Sequence, residues 1–297
     1  MICLIPEQHG DSVRYFREFF QLKLDRPDLR TLQKILEKFA TIPYENISKI
    51  IKLSRSWDND QRLRLPEEVM DDHAKFHLGG TCFSLTFFLE TILLHQGYQC
   101  YPVMADMKAG RNIHCAIIVL FNQQKFLVDP GYLLHTPLEI NPQKPRIYRT
   151  PTTGIELQFN LELGCYQLFT FNKEKMTWRY NFVDRPCPPE EFLAHWQASF
   201  TKPSMHGICL TKIQNDGYIF IHKDFMRETT FTSKRNYNIK QNYHQIIHEI
   251  FGIDKQWIEQ AQAALEFNLA KERQLGIFKA DSEKLKSKKR LITIQPH

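Results

Sequence analysis

Residues 83–94 constrain this chain more than any other segment. Phe83, Leu85, Phe87, Phe88, Leu89, Ile92, Leu93 and Leu94 fall on nearly every face of a helix, and a helix that is apolar all round has to be buried. It opens near Thr81, after Gly79 and Gly80, and runs to His95; Gly97 follows, where a left-handed cap is common. Other layers must wrap such a helix, and 297 residues suffice for a large core shared by two or three domains.

Before it, from Asp11 onward, the period is mostly helical: Leu32, Ile35, Leu36 and Phe39 recur at steps of three and four until Pro43 stops the pattern. After Gly97 the pattern changes to short β-prone runs at 98–105, 113–121, 125–129, 155–161, 166–171 and 178–182. Such runs predict a small antiparallel barrel or a strongly curled sheet. Pro186, Pro188 and Pro189 break it and lead into a helix over 189–200. Strands at 208–213 and 218–222 and a closing helix over 255–274 complete a helical, then β, then mixed order, with no internal repeat.

Hydrophobic residues make up 42% of the chain and charged ones 24%, an ordinary globular balance. The longest apolar runs, such as 115–121, fall well short of the ~18 residues a spanning helix needs. Glu7, His9 and Asp11 interrupt the short apolar start that a secretory signal would extend, so a cytoplasmic location is expected. The cysteines, at 3, 82, 100, 115, 165, 187 and 209, are odd in number and scattered, with no C-x-x-C pair; this argues against a disulfide framework and a structural zinc site. The net charge of +6 owes much to the run 279–290, five lysines and an arginine, which reads as a solvated tail. No nucleic-acid-binding pattern accompanies it.

Chemistry gathers in two places. In Leu78-Gly79-Gly80-Thr81-Cys82-Phe83-Ser84 two glycines allow a tight approach, Thr81 stands where it can cap, and Cys82 begins the buried helix. The positive end of the helix dipole favours a thiolate there, and the free amides suit an oxyanion. In the run 112–121 the imidazole of His114 stands near the start, the polar turn Asn122-Gln123-Gln124 follows, and a second run ends at Val128-Asp129-Pro130. Pairing Phe121 with Gln124 sets Ala116 opposite Asp129, with His114 one diagonal step away on the same face, about 7 to 8 Å at the backbone. Cys82, His114 and Asp129 then fit a nucleophile, a base and the group that orients the base. The pairs His73/His77 and His244/His248 sit at helical spacing but lack the glutamate and third ligand of a zinc site, so no metal is expected.

These segments resemble the arylamine N-acetyltransferase family, whose nucleophile lies in an Arg-Gly-Gly-x-Cys-Phe-Glu type motif followed by a strand histidine and a Val-Asp-Val-Gly-Phe type motif. The matching positions are Gly79-Gly80-Thr81-Cys82-Phe83, His114 and Val128-Asp129-Pro130-Gly131-Tyr132; Ile42-Pro43-Tyr44-Glu45-Asn46-Ile47 is similar to its Ile-Pro-Phe-Glu-Asn-Leu signature, and Phe251-Gly252-Ile253 to a late landmark. The resemblance implies an α+β fold with a cysteine-protease-like Cys-His-Asp core. Its parts would be an N-terminal helical bundle (1–97), a central antiparallel β-barrel (98–205) and a C-terminal α/β lid with closing helix and basic tail (206–297). Leu78, Ser84, Pro130 and Leu133 depart from the motif's Arg, Glu, small aliphatic residue and Gly.

It further implies ping-pong transfer of an acetyl or short acyl group from acyl-coenzyme A, through acyl-Cys82, to an amine, hydrazine or hydroxyl acceptor. Tyr132, Phe83 and Tyr44 would line the acceptor pocket, Gly110, Arg111 and Asn112 would contact the coenzyme, and Glu45 would pair with an N-terminal arginine, Arg17 being nearest. A monomer or weak homodimer without nucleic-acid or membrane partners is expected. An amide synthase acting on a carrier-bound acyl chain, a cysteine amidohydrolase with the same triad and a non-catalytic binding protein are the alternatives.

Overall fold

A computed structural model describes residues 3–23, 26–57, 61–150, 153–173, 175–214 and 217–277; the basic run 279–290 lies outside them. The order begins with α1 (Gly10–Phe19), α2 (Leu29–Phe39), the short strand β1 (Tyr44–Glu45), α3 (Ile47–Arg55), α4 (Pro66–Phe76) and α5 (Cys82–His95). The strands β2 (Gln99–Met107), β3 (Gly110–Phe121), β4 (Gln124–Val128), β5 (Leu138–Ile140), β6 (Arg146–Arg149), β7 (Gly154–Asn160), β8 (Cys165–Phe171) and β9 (Met176–Phe182) follow. Then come α6 (Pro189–Ala198), β10 (Cys209–Gln214), β11 (Gly217–His222), β12 (Phe225–Thr230), β13 (Lys234–Asn238), α7 (Tyr243–Phe251) and α8 (Lys255–Gln274).

Helix α5 is buried along almost its whole length, as its uniform apolarity requires. It ends as the sequence predicts: Gly97 takes φ +91°, and the amides of Gly97 and Tyr98 donate to Leu94 O (2.9 Å) and Leu93 O (3.0 Å). This left-handed cap reverses the chain directly into β2.

Strands β2 to β9 form one antiparallel sheet in the order β5-β4-β3-β2-β9-β8-β7-β6. The sheet curls until its edges meet through side chains, Arg146 pairing with Glu139 and the Tyr148 hydroxyl donating to Glu139 O (3.3 Å), so the barrel is nearly closed. Ala116 and Ile118 of β3 point into the barrel core with Val103, Leu168 and Phe182, while Ile117 and Val119 pack on the helices with Phe88 and Ile92. Burial on both faces explains why β3 reads as an unbroken apolar run rather than an alternating one.

The second sheet runs β1-β10-β11-β12-β13. Its outer member β1 comes from the N-terminal region, Tyr44 pairing with Thr211 and Glu45 with Leu210. Helix α8 returns to α3, where Ile258, Ala261 and Ala264 share a core with Ile47 and Ile50, and the Asn268 amide donates to Ile50 O (2.9 Å). Packing therefore runs across the 97/98 and 205/206 divisions. Strands β5, β6, β12 and β13 were not expected from the sequence; β13 is exposed throughout and carries Lys234 and Arg235, the composition of a protected sheet edge.

One expected pairing is corrected. Arg17 lies exposed on α1, and Glu45 takes Arg64 instead. The Glu45 carboxylate is fully buried and accepts from Arg64 Nη1 (3.3 Å), from the Ser48 amide (2.9 Å) at the start of α3, from the Ser48 hydroxyl, and from the Gly79 amide (3.2 Å). Arg64 also donates to Gly79 O (2.6 Å) and to Asp72 Oδ2 (2.6 Å). Both polar groups of Gly79 are thus held, and a Cβ there would collide with Pro43 O. The peptide leading to α5 has one available path.

Removing one partner of a buried pair leaves the other charge uncompensated. Arg64→Met is expected to cost about 3–5 kcal/mol in urea unfolding; a loss within ~0.5 kcal/mol, the range of a surface substitution, would show that the clamp contributes little.

Candidate active site

Cys82 is the first residue of α5. Thr81 occupies the cap position with extended backbone (φ −93°, ψ 174°) but its side chain makes no capping hydrogen bond, contrary to the expectation, and the first helical bond is Leu85 N–H to Thr81 O (3.0 Å). The amides of residues 82–84 therefore precede the helical ladder and keep their positive ends toward the sulfur.

His114 arrives on β3. The hairpin has the predicted register, Phe121 opposite Gln124 and Ile117 opposite Val128, with Asn122 and Gln123 both at positive φ (47° and 63°) as a two-residue hairpin turn needs. That register carries Asp129 to the end of β4 beside His114, where Nε2 donates to Asp129 Oδ2 at 2.8 Å. The remaining nitrogen, Nδ1, is the one left on the Cys82 side of the ring, and the Cys82 thiol donates to Ile113 O (3.8 Å), next to His114 in the chain. Asp129 is fully buried and His114 nearly so. Asp129 also holds its own turn, Oδ1 accepting from the Tyr132 amide (3.0 Å), while Oδ2 takes a second bond from the Tyr180 hydroxyl (2.7 Å).

The electrostatics favour an ion pair. Hydrogen bonding from the Cys115 thiol, then the hydrogen bond and charge of His114 and the charge of Lys49, outweigh burial and hold the Cys82 thiol well below its ordinary range. Burial opposes the charged imidazole, but the charge and hydrogen bond of Asp129, reinforced by Cys82, raise the pKa of His114 to about 10. Burial keeps the neighbouring Cys115 thiol neutral, and it donates to Thr86 Oγ1 at 3.4 Å.

The sulfur opens on a cavity of about 610 Å³ walled by all three segments: Tyr44, Lys49 and Phe83 from the first, Tyr132, Leu168 and Arg179 from the barrel, and Thr211, Tyr218 and Phe220 from the second sheet. Tyr132 stands edge-on to the His114 ring, centroids 5.3 Å apart. Gly110, Arg111 and Asn112 lie at the β2–β3 hairpin tip, off the wall; Arg111 is exposed beside Asp106, and Met107, Ala109 and Ile113 line the cavity instead. The wall's cations are Lys49, Arg179, Lys202, Arg227 and Lys234.

Sequence reasoning missed Lys49, Arg64, Cys115 and Tyr180. Each is a single side chain carried by a periodic element or a loop, without a local motif to mark it. A second cleft, about 920 Å³, surrounds His244, His248 and Asp254, and among the described residues no Cys, Ser or Thr lines it; His248 is engaged with Asp254 at 3.4 Å. Among the described residues no group of three or more His, Cys, Asp or Glu is arranged to hold a metal ion.

Two measurements test this geometry. A lowered thiol pKa keeps the thiolate present as pH falls below the ordinary thiol value, until the lowered value is crossed. Alkylation of Cys82 should therefore stay nearly constant between pH ~8 and ~6, while thiols of the unfolded protein, with pKa about 8.5, slow about tenfold per unit; a parallel decline would exclude the ion pair. A methyl at Gly131 would lie 2.8 Å from His114 Cε1 and 2.9 Å from Cys82 Cβ. Gly131→Ala is thus expected to slow any reaction of Cys82 that uses His114 by about 100-fold, the scale of an ångström's misplacement.

Several solved structures share this architecture. An arylamine N-acetyltransferase from Mycobacterium abscessus superposes with TM-score 0.74 at 16% identity, covering 87% of this chain and 96% of that one. One from Mycobacterium marinum, in complex with CoA, gives TM-score 0.71 at 15% identity and covers 85% and 98%. One from Bacillus cereus, described with a Cys-His-Glu catalytic triad, gives 0.66 at 18% and covers 82% and 99%. At these identities the likenesses establish the fold. No curated protein matches the chain by sequence. The family model for N-acetyltransferase matches residues 28–259, well over half of the chain, and with the Cys-His-Asp meeting at the start of α5 the chain belongs to the N-acetyltransferase family.

Proposed function

We propose that the protein transfers an acetyl or other short acyl group from acyl-coenzyme A to an arylamine or related amine through an acyl-cysteine. The observation that carries this reading is the junction of Cys82 with an imidazole whose Nε2 is bound to Asp129 Oδ2 at 2.8 Å. The relatives named arylamine N-acetyltransferases, one of them holding CoA, support donor and acceptor class. The cationic wall suits a donor that carries phosphates.

In the first half-reaction the Cys82 thiolate attacks the thioester carbonyl. The amides at the start of α5 face the developing oxyanion. The bond to the coenzyme sulfur then breaks, and the departing thiolate takes the proton of the His114 imidazolium. In the second half-reaction the acceptor nitrogen attacks the acyl-Cys82 carbonyl, neutral His114 accepts a proton from that nitrogen, and the Cys82 thiolate leaves. Asp129 keeps Nδ1 directed at the reacting atoms throughout. Exchange between thiolates is nearly balanced in energy, whereas the amide forms downhill.

Mixing the protein with acetyl-coenzyme A should place one acetyl group on Cys82, read by mass spectrometry and lost when an arylamine is added. No adduct with any acyl donor would sink the reading. His114→Ala is expected to slow the transfer to amine by about 10²–10⁴-fold, the range of a general base; an unchanged rate would remove His114 from the step.

A further inference from the structure

Five cations and, among the described residues, no Asp or Glu line the cavity. Lys49 is unlike the other four. Arg179, Lys202, Arg227 and Lys234 are half-buried or exposed, whereas Lys49, projecting from α3, is 5% exposed. Its ammonium donates to Ser199 Oγ at 2.6 Å and to Ser199 O at 3.4 Å, and it sits 4.5 Å from the centre of the Phe200 ring. These partners are neutral, and among the described residues no carboxylate is paired with it. A buried charge without a counter-ion is costly. Burial accordingly pushes its pKa down to about 8; the Cys82 thiolate favours the ammonium and the charge of Arg62 opposes it.

The anion available to Lys49 in the free protein is the Cys82 thiolate, and acylation removes that charge. The coenzyme phosphates are separated from the thioester by the length of the pantetheine arm, and four other cations of the wall, all more exposed than Lys49, are available to them. The replacement has to come from the part of a substrate that reaches the sulfur. The group present through both half-reactions is the acyl chain itself.

We propose that Lys49 selects acyl donors that carry a terminal carboxylate, the coenzyme A half-thioesters of short dicarboxylic acids. The inference rests on the acyl-cysteine reading above and names the donor for it. A carboxylate one or two carbons beyond the thioester carbonyl pairs with the ammonium once the thiolate charge is gone. The chemistry at the carbonyl is unchanged: the thiolate forms the acyl bond, and the coenzyme leaves as the thiol with the proton from His114.

The test compares Cys82 acylation by malonyl-coenzyme A and by butyryl-coenzyme A, a neutral donor of similar chain length, using mass spectrometry on the full chain. The wild-type protein should prefer the malonyl donor, and Lys49→Met should lower the malonyl-to-butyryl ratio by about tenfold or more, the effect of losing one modest charge pair. The wild-type ratio should also fall as pH rises through about 8, where the ammonium is lost; a lysine that serves packing alone would not move it. A wild-type preference for butyryl needs no variant and overturns the proposal, as does an equal ratio in both proteins. If Lys49→Met alters instead the passage of an acetyl group from Cys82 to 4-aminobenzoate relative to aniline, the carboxylate belongs to the acceptor and the proposal fails. In each of these cases acylation of Cys82 persists, so the transferase reading survives; the absence of any acyl adduct would instead remove that reading.

Discussion

The carboxylate of Asp129 is the fixed point of the molecule. It is withdrawn from water entirely, which is tolerable only because its oxygens accept from three donors on three different segments: the His114 ring on β3, the Tyr180 hydroxyl on β9 and the Tyr132 amide in the turn after β4. The same contacts that satisfy the charge fix the imidazole's tautomer and orientation. They also tie strand β9, far along the chain, to the hairpin β3–β4. Asp129 is therefore both a turn residue and the group that orients the His114 ring. The two roles use different oxygens and do not compete.

Cys82 comes from the opposite side of this junction, at the start of α5, and needs its own anchor. The buried pair Glu45 and Arg64 holds the Gly79 peptide at both polar atoms, three residues before Cys82. Glu45 also sits in β1, the strand that opens the second sheet against β10. One short segment thus sets the approach to α5 and the placement of the sheet that walls the cavity. Helix, barrel and second sheet cannot be positioned independently, which is why their cores run together across the chain divisions that the family resemblance implies.

What could be read from the sequence follows from how local each signal is. The burial of α5, the span of α8 and the register of β3 on β4 are local: a uniform apolar run, an amphipathic period and a two-residue polar turn each suffice. That register, together with the Gly-Gly-Thr-Cys start, made the meeting of Cys82, His114 and Asp129 legible. The edge strands were hidden because β13 is exposed throughout and β6 is four residues long, with Tyr148 packed on the barrel but the apolar Ile147 turned to solvent. Arg64 was hidden for a different reason. Its partner, Glu45, is nineteen residues away across α3, and nothing near it in sequence shows that its guanidinium turns inward. Nothing local to Lys49 shows that α3 turns it toward the cavity.

The departures from the family motif sort by what the backbone demands. Gly131 is retained because no side chain fits between His114 and Cys82. Two residues later the motif's glycine is replaced by Leu133, yet the backbone there stays left-handed at φ 53°. That conformation costs a leucine about 1–2 kcal/mol, and a fully buried leucine side chain recovers about 1.5–3 kcal/mol. Leu133 is 3% exposed and forms part of the cavity wall, so the strain is held by packing. The turn that carries Asp129 keeps its shape while the wall beside Tyr132 gains bulk. Substitution at such a position changes the shape of the cavity without disturbing the turn beside Asp129, because the conformation belongs to the turn and the volume belongs to the cavity.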